Sequence, residues 1–152
     1  MDRVVISDTS CLIALINIEQ LELLKELFQE IIITTEVYQE FGGLLPDWII
    51  VTEVKDKHNQ AELEKRLDKG EASSIALALE NSNTLLIIDE VKGRKIAKTF
   101  KIEIIGTIGI IVLGGKKGLI PDVLSTILHL VNRGFRLSDD LLNQIIEKYG
   151  RR

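Results

Sequence analysis

Val4-Val5-Ile6-Ser7-Asp8 is a short apolar run that ends in an aspartate, and Leu85-Leu86-Ile87-Ile88-Asp89 repeats the pattern. Short runs of this kind read as buried parallel strands. An acid at the carboxyl end of such a strand stands on the rim where open α/β sheets bind ligands. If the two strands are neighbours, the two acids lie close together. Like charges held close are costly unless a cation or a shared proton compensates them. The pair therefore points to a divalent metal site, and so to phosphate chemistry.

Outward from these two runs the chain alternates. A strand near 3–7 precedes helical periodicity over 11–28, in two pieces that break near Asn17–Gln20, with Leu21, Leu24, Leu27 and Phe28 on one face. Ile31-Ile32-Ile33 reads as a strand, and Thr35 as the cap of a short helix stopped by Gly42-Gly43. A strand over 48–54 follows Pro46. Two helices, 59–67 and 71–79, break at Gly70. A strand at 85–88, a helix over 91–100, a strand at 103–105 and a helix from Thr107 to Gly114-Gly115 come next. Amphipathic helices over 121–131 and 138–149 close the chain. The pattern predicts one α/β domain over 1–152: three layers, α/β/α, around a mostly parallel sheet of about four to five strands.

The chain has 152 residues, 45% apolar and 28% charged, ordinary values for a globular domain with a sizeable core. No run approaches the ~18 apolar residues of a membrane span. Met1-Asp2-Arg3 leads straight into a strand, without the layout of a signal peptide, and Cys11 is the only cysteine, so no internal disulfide or cysteine zinc cluster is expected. These features predict a cytoplasmic protein. A formal charge of −4 argues against a general basic coat for nucleic acid, although acids gathered at a metal site inflate the negative count.

Each acid has a plain structural explanation. Asp8, in Asp8-Thr9-Ser10, and Asp89, before Glu90, are both suited to cap a following helix. Glu36 and Glu40 suit a solvated face of the short helix, beside an apolar face of Val37, Phe41 and Tyr38. Glu71, after Gly70, suits the first turn of its helix through the macrodipole, worth about 0.3–1 kcal/mol. It is the recurrence of Asp8 and Asp89 in one setting that tips the reading toward chemistry.

Taken as an ordered series, Val5-Ile6-Ser7-Asp8-Thr9-Ser10, Val37-Tyr38-Gln39-Glu40, Gly70-Glu71-Ala72-Ser73-Ser74-Ile75-Ala76-Leu77-Ala78, Leu86-Ile87-Ile88-Asp89-Glu90 with Gly93-Arg94, Gly106-Thr107-Ile108-Gly109-Ile110 and Gly134-Phe135-Arg136-Leu137-Ser138 resemble the PIN-domain nucleases. The nearest likeness is to the small prokaryotic PIN-like proteins related to VapC-type toxins, over nearly the whole chain. The resemblance implies an acidic cluster of Asp8, Glu40, Glu71 and Asp89, with Asp8, Glu71 and Asp89 as metal ligands. It places Ser10, Glu90 and Thr107 at the site's edge, and prefers Glu40 to Glu36. Relatives often carry a second aspartate where this chain has Glu90. The implied activity is Mg²⁺- or Mn²⁺-dependent hydrolysis of RNA, with one or two ions bound by hard oxygen ligands. A toxin of a toxin–antitoxin pair is one role it allows. A non-catalytic RNA- or protein-binding module is the alternative. A phosphatase of the haloacid-dehalogenase kind would need an aspartate where this chain has Ser10.

An acidic pocket needs cations to bring a polyanion to it. Arg94, Lys98 and Lys101 fall at i, i+4, i+7, on one expected helix face, and predict a nucleic-acid track or an ordinary solvated face. Lys116, Lys117, Arg133, Arg136, Arg151 and Arg152 would extend it. Aromatic residues are too few to suggest base-specific readout. Gly114-Gly115-Lys116-Lys117-Gly118 reads as a helix end rather than a phosphate loop. The wide apolar stripe of 119–131, with Leu141, Leu142, Ile145 and Ile146, either covers the sheet or forms a homodimer as in many relatives. The partners expected are thus RNA, a second copy of the chain and, for a toxin, a small antitoxin protein, with no membrane.

Overall fold

In the computed structural model, which describes residues 3–150, the two aspartate-ending runs are adjacent central strands. The strands are β1 (Val4–Ser7), β2 (Ile31–Thr34), β3 (Ile49–Thr52), β4 (Thr84–Ile87) and β5 (Glu103–Ile105). They form one parallel sheet in the order β3-β2-β1-β4-β5. The register sets Ser7 beside Ile87. The order reverses between β1 and β4, and such a switch point leaves a crevice at the carboxyl ends of the strands.

The helices are α1 (Thr9–Asn17), α2 (Glu22–Phe28), α3 (Thr35–Phe41), α4 (Lys57–Glu64), α5 (Lys69–Leu79), α6 (Val91–Thr99), α7 (Thr107–Lys116), α8 (Val123–Asn132) and α9 (Asp139–Tyr149). They cover both faces of the sheet. Val5, Ile31, Ile33, Leu85 and Ile87 point into one core with α1, α2, α7, α8 and α9. Ile6, Leu86 and Ile88 point into the other, with Leu63 of α4, Ile75 of α5 and Ile96 of α6. Alternate residues of β1 and β4 thus serve opposite cores, which is why these strands read as unbroken apolar runs. Cys11 is buried among the first set, as a small apolar side chain. The three-layer α/β/α architecture expected from the sequence is present. Among the described residues no helix is long and apolar enough to cross a membrane.

Local corrections follow from capping. Thr34, not Thr35, caps α3: its hydroxyl accepts from Val37 N at 3.0 Å. Gly70 does not break the helices; α5 already starts at Lys69, capped by Asp68. Gly114 and Gly115 do not end α7 but lie inside it, where a Cβ would meet Leu23, Ile120 and Val123. The left-handed turn after α7 belongs to Gly118 (φ +75°). Tyr38 is exposed rather than part of an apolar face. Arg94 and Lys98 lie on α6, but Lys101 lies beyond its end, at φ +61°, so no single helix face carries all three. Most of the late apolar stripe is spent on the core through Ile120, Ile127, Leu130 and Ile145, leaving Leu128, Leu141 and Ile146 exposed. Met1, Asp2, Arg151 and Arg152 lie outside the described residues, so the start of the chain and the last two cations of the expected track do too.

Candidate metal centre

Apart from Gln60 on α4, the buried polar side chains among the described residues gather around the carboxyl edge of the sheet: Ser7 at the end of β1 with Asp8 and Thr9 after it, Thr34 at the end of β2, Ser73 and Ser74 on α5, and Thr107 at the start of α7. Buried polar groups are costly unless hydrogen-bonded, so such a concentration marks a built site.

Asp8 is its centre. One carboxylate oxygen caps α1 by accepting from Cys11 N at 3.0 Å, as the plain reading foresaw. The other accepts from Asp89 N at 3.3 Å, which ties the two strand ends together. Burial raises the Asp8 carboxyl from 3.8 to about 7; those hydrogen bonds pull it down, while the Asp89 and Asp68 charges push it further up.

Asp89 does not cap the helix that follows it. Glu90 does, through a bond from Lys92 N at 2.7 Å to its carboxylate. Asp89 is thereby left to serve α7, whose N-cap, Gly106, has no side chain to offer. Thr107 N donates to Asp89 Oδ1 at 2.8 Å and the Thr107 hydroxyl to Oδ2 at 2.6 Å. Arg94 stands alongside, its Nη1 donating to Ile88 O at 2.8 Å.

Glu40 and Glu71 come from α3 and α5, whose starts are joined by the Thr34 and Ser73 hydroxyls at 2.7 Å. The Thr9 hydroxyl donates to Glu40 Oε1 in a short hydrogen bond. Glu36 is turned elsewhere, accepting from Gln60 Nε2 at 2.7 Å, so of the two glutamates Glu40 is the one bonded to the residue next to Asp8. Glu71 is half-buried, and its carboxyl is raised from 4.5 to about 7 by burial first, then by the charges of Asp68, Glu90, Asp8 and Glu40. The four acids therefore share one electrostatic neighbourhood. Ser10 and Glu90 are exposed at its edge, lining a cleft together with Asp89 and Arg94. Lys98 and Lys101 do not line that cleft. Arg133 and Arg136 do.

Two participants escaped the sequence reading. Thr9, quoted only as part of Asp8-Thr9-Ser10, holds Glu40 through its hydroxyl. Asp68 caps α5 through Glu71 N at 3.0 Å and adds a negative charge beside both Asp8 and Glu71. The signal available for it was the Asp-x-x-Glu spacing of 68–71, a capping-box pattern.

The residue types suit a hard divalent cation. Every donor is a carboxylate or hydroxyl oxygen, the set that favours Mg²⁺ or Mn²⁺ over softer metals. Three glycines keep space open around the acids. A Cβ on Gly70 would come within 2.8 Å of Glu40 Oε1, and one on Gly106 within 2.8 Å of Asp89 Oδ1 and 2.9 Å of Arg94 Nη1. A Cβ on Gly93 would meet Ile88 and approach Glu71 Cδ to 3.9 Å. Among the described residues no three acid, histidine or cysteine side chains stand as a finished coordination sphere. The carboxylates are held instead by backbone and hydroxyl donors, and side-chain rotation would be needed to draw them onto one ion.

No curated protein and no solved structure matches the chain. A family model described as a PIN domain matches residues 4–151. With a parallel five-stranded sheet, helices on both faces and acids on its carboxyl edge, the chain belongs to the PIN-domain family, a superfamily of nuclease type whose members typically use divalent metals.

Proposed function

We propose that the chain, acting as a single domain over 1–152, is a divalent-metal-dependent ribonuclease that hydrolyses internal phosphodiester bonds of RNA. The observation that supports this reading best is the joining of Asp8 to Asp89 at the switch point of the sheet, with Glu71 under the repulsion of its acidic neighbours. Carboxylates kept this close without a paired cation favour a site made for one. In this reading Asp8, Glu71 and Asp89 hold Mg²⁺ or Mn²⁺, which when bound supplies Lewis acidity and lowers the pKa of its water. Glu40, fixed by Thr9, orients the attacking water and accepts its proton. Thr107 keeps Asp89 aimed, and Arg94, anchored by Nη1 on Ile88 O, has further guanidinium N–H groups to offer the phosphate. Glu90 caps α6 with one carboxylate oxygen and stands at the edge of the site, and in this reading one or two ions bind.

The finer parts of the proposal are a cytoplasmic setting, a homodimer in solution and a toxin role with a small antitoxin protein as partner. The test is cleavage of labelled single-stranded RNAs with Mn²⁺, with EDTA, and with Asp8→Asn. Cutting that requires Mn²⁺ and disappears in the variant supports the proposal. No cutting and no Mn²⁺-induced thermal shift would replace it with the non-catalytic module.

A further inference from the structure

The two edges of the sheet differ in chemistry. β5 closes one edge with Glu103, which is exposed and ion-paired to Arg3. A charged side chain on an edge strand discourages another strand from adding there. β3 closes the other edge with Ile49-Ile50-Val51-Thr52, which contains no charged residue and no proline. Ile50 and Val51 point to opposite faces of this strand and expose 39% and 42% of their surface.

The backbone of β3 is also free on its outer side. Ile31 N donates to Trp48 O at 3.1 Å, so residues 48, 50 and 52 turn their backbone groups toward β2. By the alternation of an extended strand, 49, 51 and 53 turn theirs away from the sheet. Ile49 N donates to Pro46 O at 3.1 Å. The N–H and C=O of Val51, in the middle, are left to a further strand.

We infer that β3 pairs antiparallel with β3 of a second copy of the chain, each Val51 directly opposite the partner's Val51. Two constraints select this register. Outward-facing residues must meet outward-facing ones, so Val51 can stand opposite 49, 51 or 53 of the partner. Opposite 49, Asp47 falls against the partner's Glu53, like against like. Opposite 53, the ladder is centred on Thr52, the last residue of β3, and half of it lies beyond the strand. Opposite 51, Asp47 falls against the partner's Lys55 at both ends of the ladder, and Ile50 against the partner's Thr52. Asp47 and Lys55 are exposed, and among the described residues neither is in an ion pair. Opposite charges across a strand pair attract and like charges repel. A strand of another protein would have to bring these charges in this order, whereas a second copy has them by symmetry. Antiparallel pairing sets the carboxyl edges of the two sheets on opposite sides, so the two acid clusters open away from each other. The inference names the surface of the proposed homodimer and rests on that homodimer forming.

Sedimentation velocity over a concentration series in low salt tests it. The proteins are wild type, Asp47→Lys, Lys55→Asp, an equimolar mixture of these two variants, and Val51→Pro. Wild type is expected to dimerise. Each charge variant puts like charges opposite each other at both ends, and its dimer dissociation constant should rise roughly tenfold or more. The mixture should recover the dimer, because each chain then meets its opposite charge. Val51→Pro removes the central N–H without touching the bonds to β2, and should weaken the dimer as well. Wild type that stays monomeric throughout would overturn the inference and the homodimer together. A dissociation constant unchanged in any variant, or a mixture that does not recover, would overturn the inference alone and place the dimer contact elsewhere. The nuclease reading stands or falls separately, by Mn²⁺-dependent cleavage.

Discussion

Asp8 holds two roles that conflict in charge but agree in geometry. As the cap of α1 it must lie at a helix N-terminus, which favours a carboxylate. As the inner member of an acid cluster it is buried beside Asp89 and Asp68, which disfavours one. Burial wins, and the carboxyl rises from 3.8 to about 7. The folded chain therefore holds a proton that the unfolded chain releases between about pH 4 and 7, so stability falls as pH rises through that window. Glu71, also raised to about 7, adds to the same trend. For EDTA-treated protein the expected outcome is a melting temperature that falls from pH 4 to pH 8. Asp8→Asn removes the larger part of the fall, since asparagine caps about as well as aspartate without the charge. A thermal-denaturation series on both proteins across that range reads this directly; identical slopes would show that Asp8 is not held protonated by the fold.

At the scale of elements, the site is made of helix starts. α1 begins at Asp8, α3 at Thr34, α5 at Asp68, α6 at Glu90 and α7 under the borrowed cap of Asp89. Each start lies at the carboxyl edge of the sheet or brings an acid to it, so donors and acids are delivered together. Asp68 separates the two contributions. Asp68→Ala removes the α5 cap and is expected to cost about 1 kcal/mol. Asp68→Asn keeps the cap and deletes a charge next to Glu71 and Asp8, so the metal-free protein should be as stable as wild type or more stable at pH 8. Denaturant unfolding of wild type and the two variants in EDTA checks it: a gain in Asp68→Asn reads the charge, stability equal to wild type would mean that the charge of Asp68 is not felt, and a loss equal to that of Asp68→Ala would mean that asparagine does not replace the cap. This reuse of helix starts also explains what was legible in the sequence. Strand and helix existence, and the pairing of Asp8 with Asp89, followed from apolar runs and their terminal acids. The boundaries slipped by a residue or a few because capping depends on which oxygen reaches which N–H: Thr34 rather than Thr35, Glu90 rather than Asp89. Thr9 and Asp68 escaped because their contacts, to Glu40 and toward Asp8, span parts of the chain that no local pattern connects. Lys101 does not share a helix face with Arg94 and Lys98 because α6 ends before it, whereas Arg133 and Arg136 reach the cleft from a segment far along the chain.

At the scale of the whole molecule, the two cores and the acid edge pull against each other. Both faces of the sheet are closed by buried aliphatic side chains, which stabilises β1 and β4 and holds their ends in register. That rigidity keeps Asp8 beside Asp89 despite the repulsion, so the fold itself carries the cost of the cluster. A ligand that binds only the folded state and neutralises the cluster should return that cost as stability. Mn²⁺ at a hundred times its dissociation constant would contribute about 2.7 kcal/mol by mass action. For a domain of this size each kcal/mol moves the midpoint by roughly 2–4 °C. Saturating Mn²⁺ is therefore expected to raise the melting temperature by about 5–10 °C. The gain should be much reduced in Asp89→Asn, and unchanged in Glu36→Gln, because Glu36 is turned to Gln60 and away from Asp8. Scanning calorimetry of the three proteins with and without the ion makes the comparison. A gain that survives Asp89→Asn, or one lost with Glu36→Gln, would move the ion away from the end of β4 and toward the junction of α3 and α4.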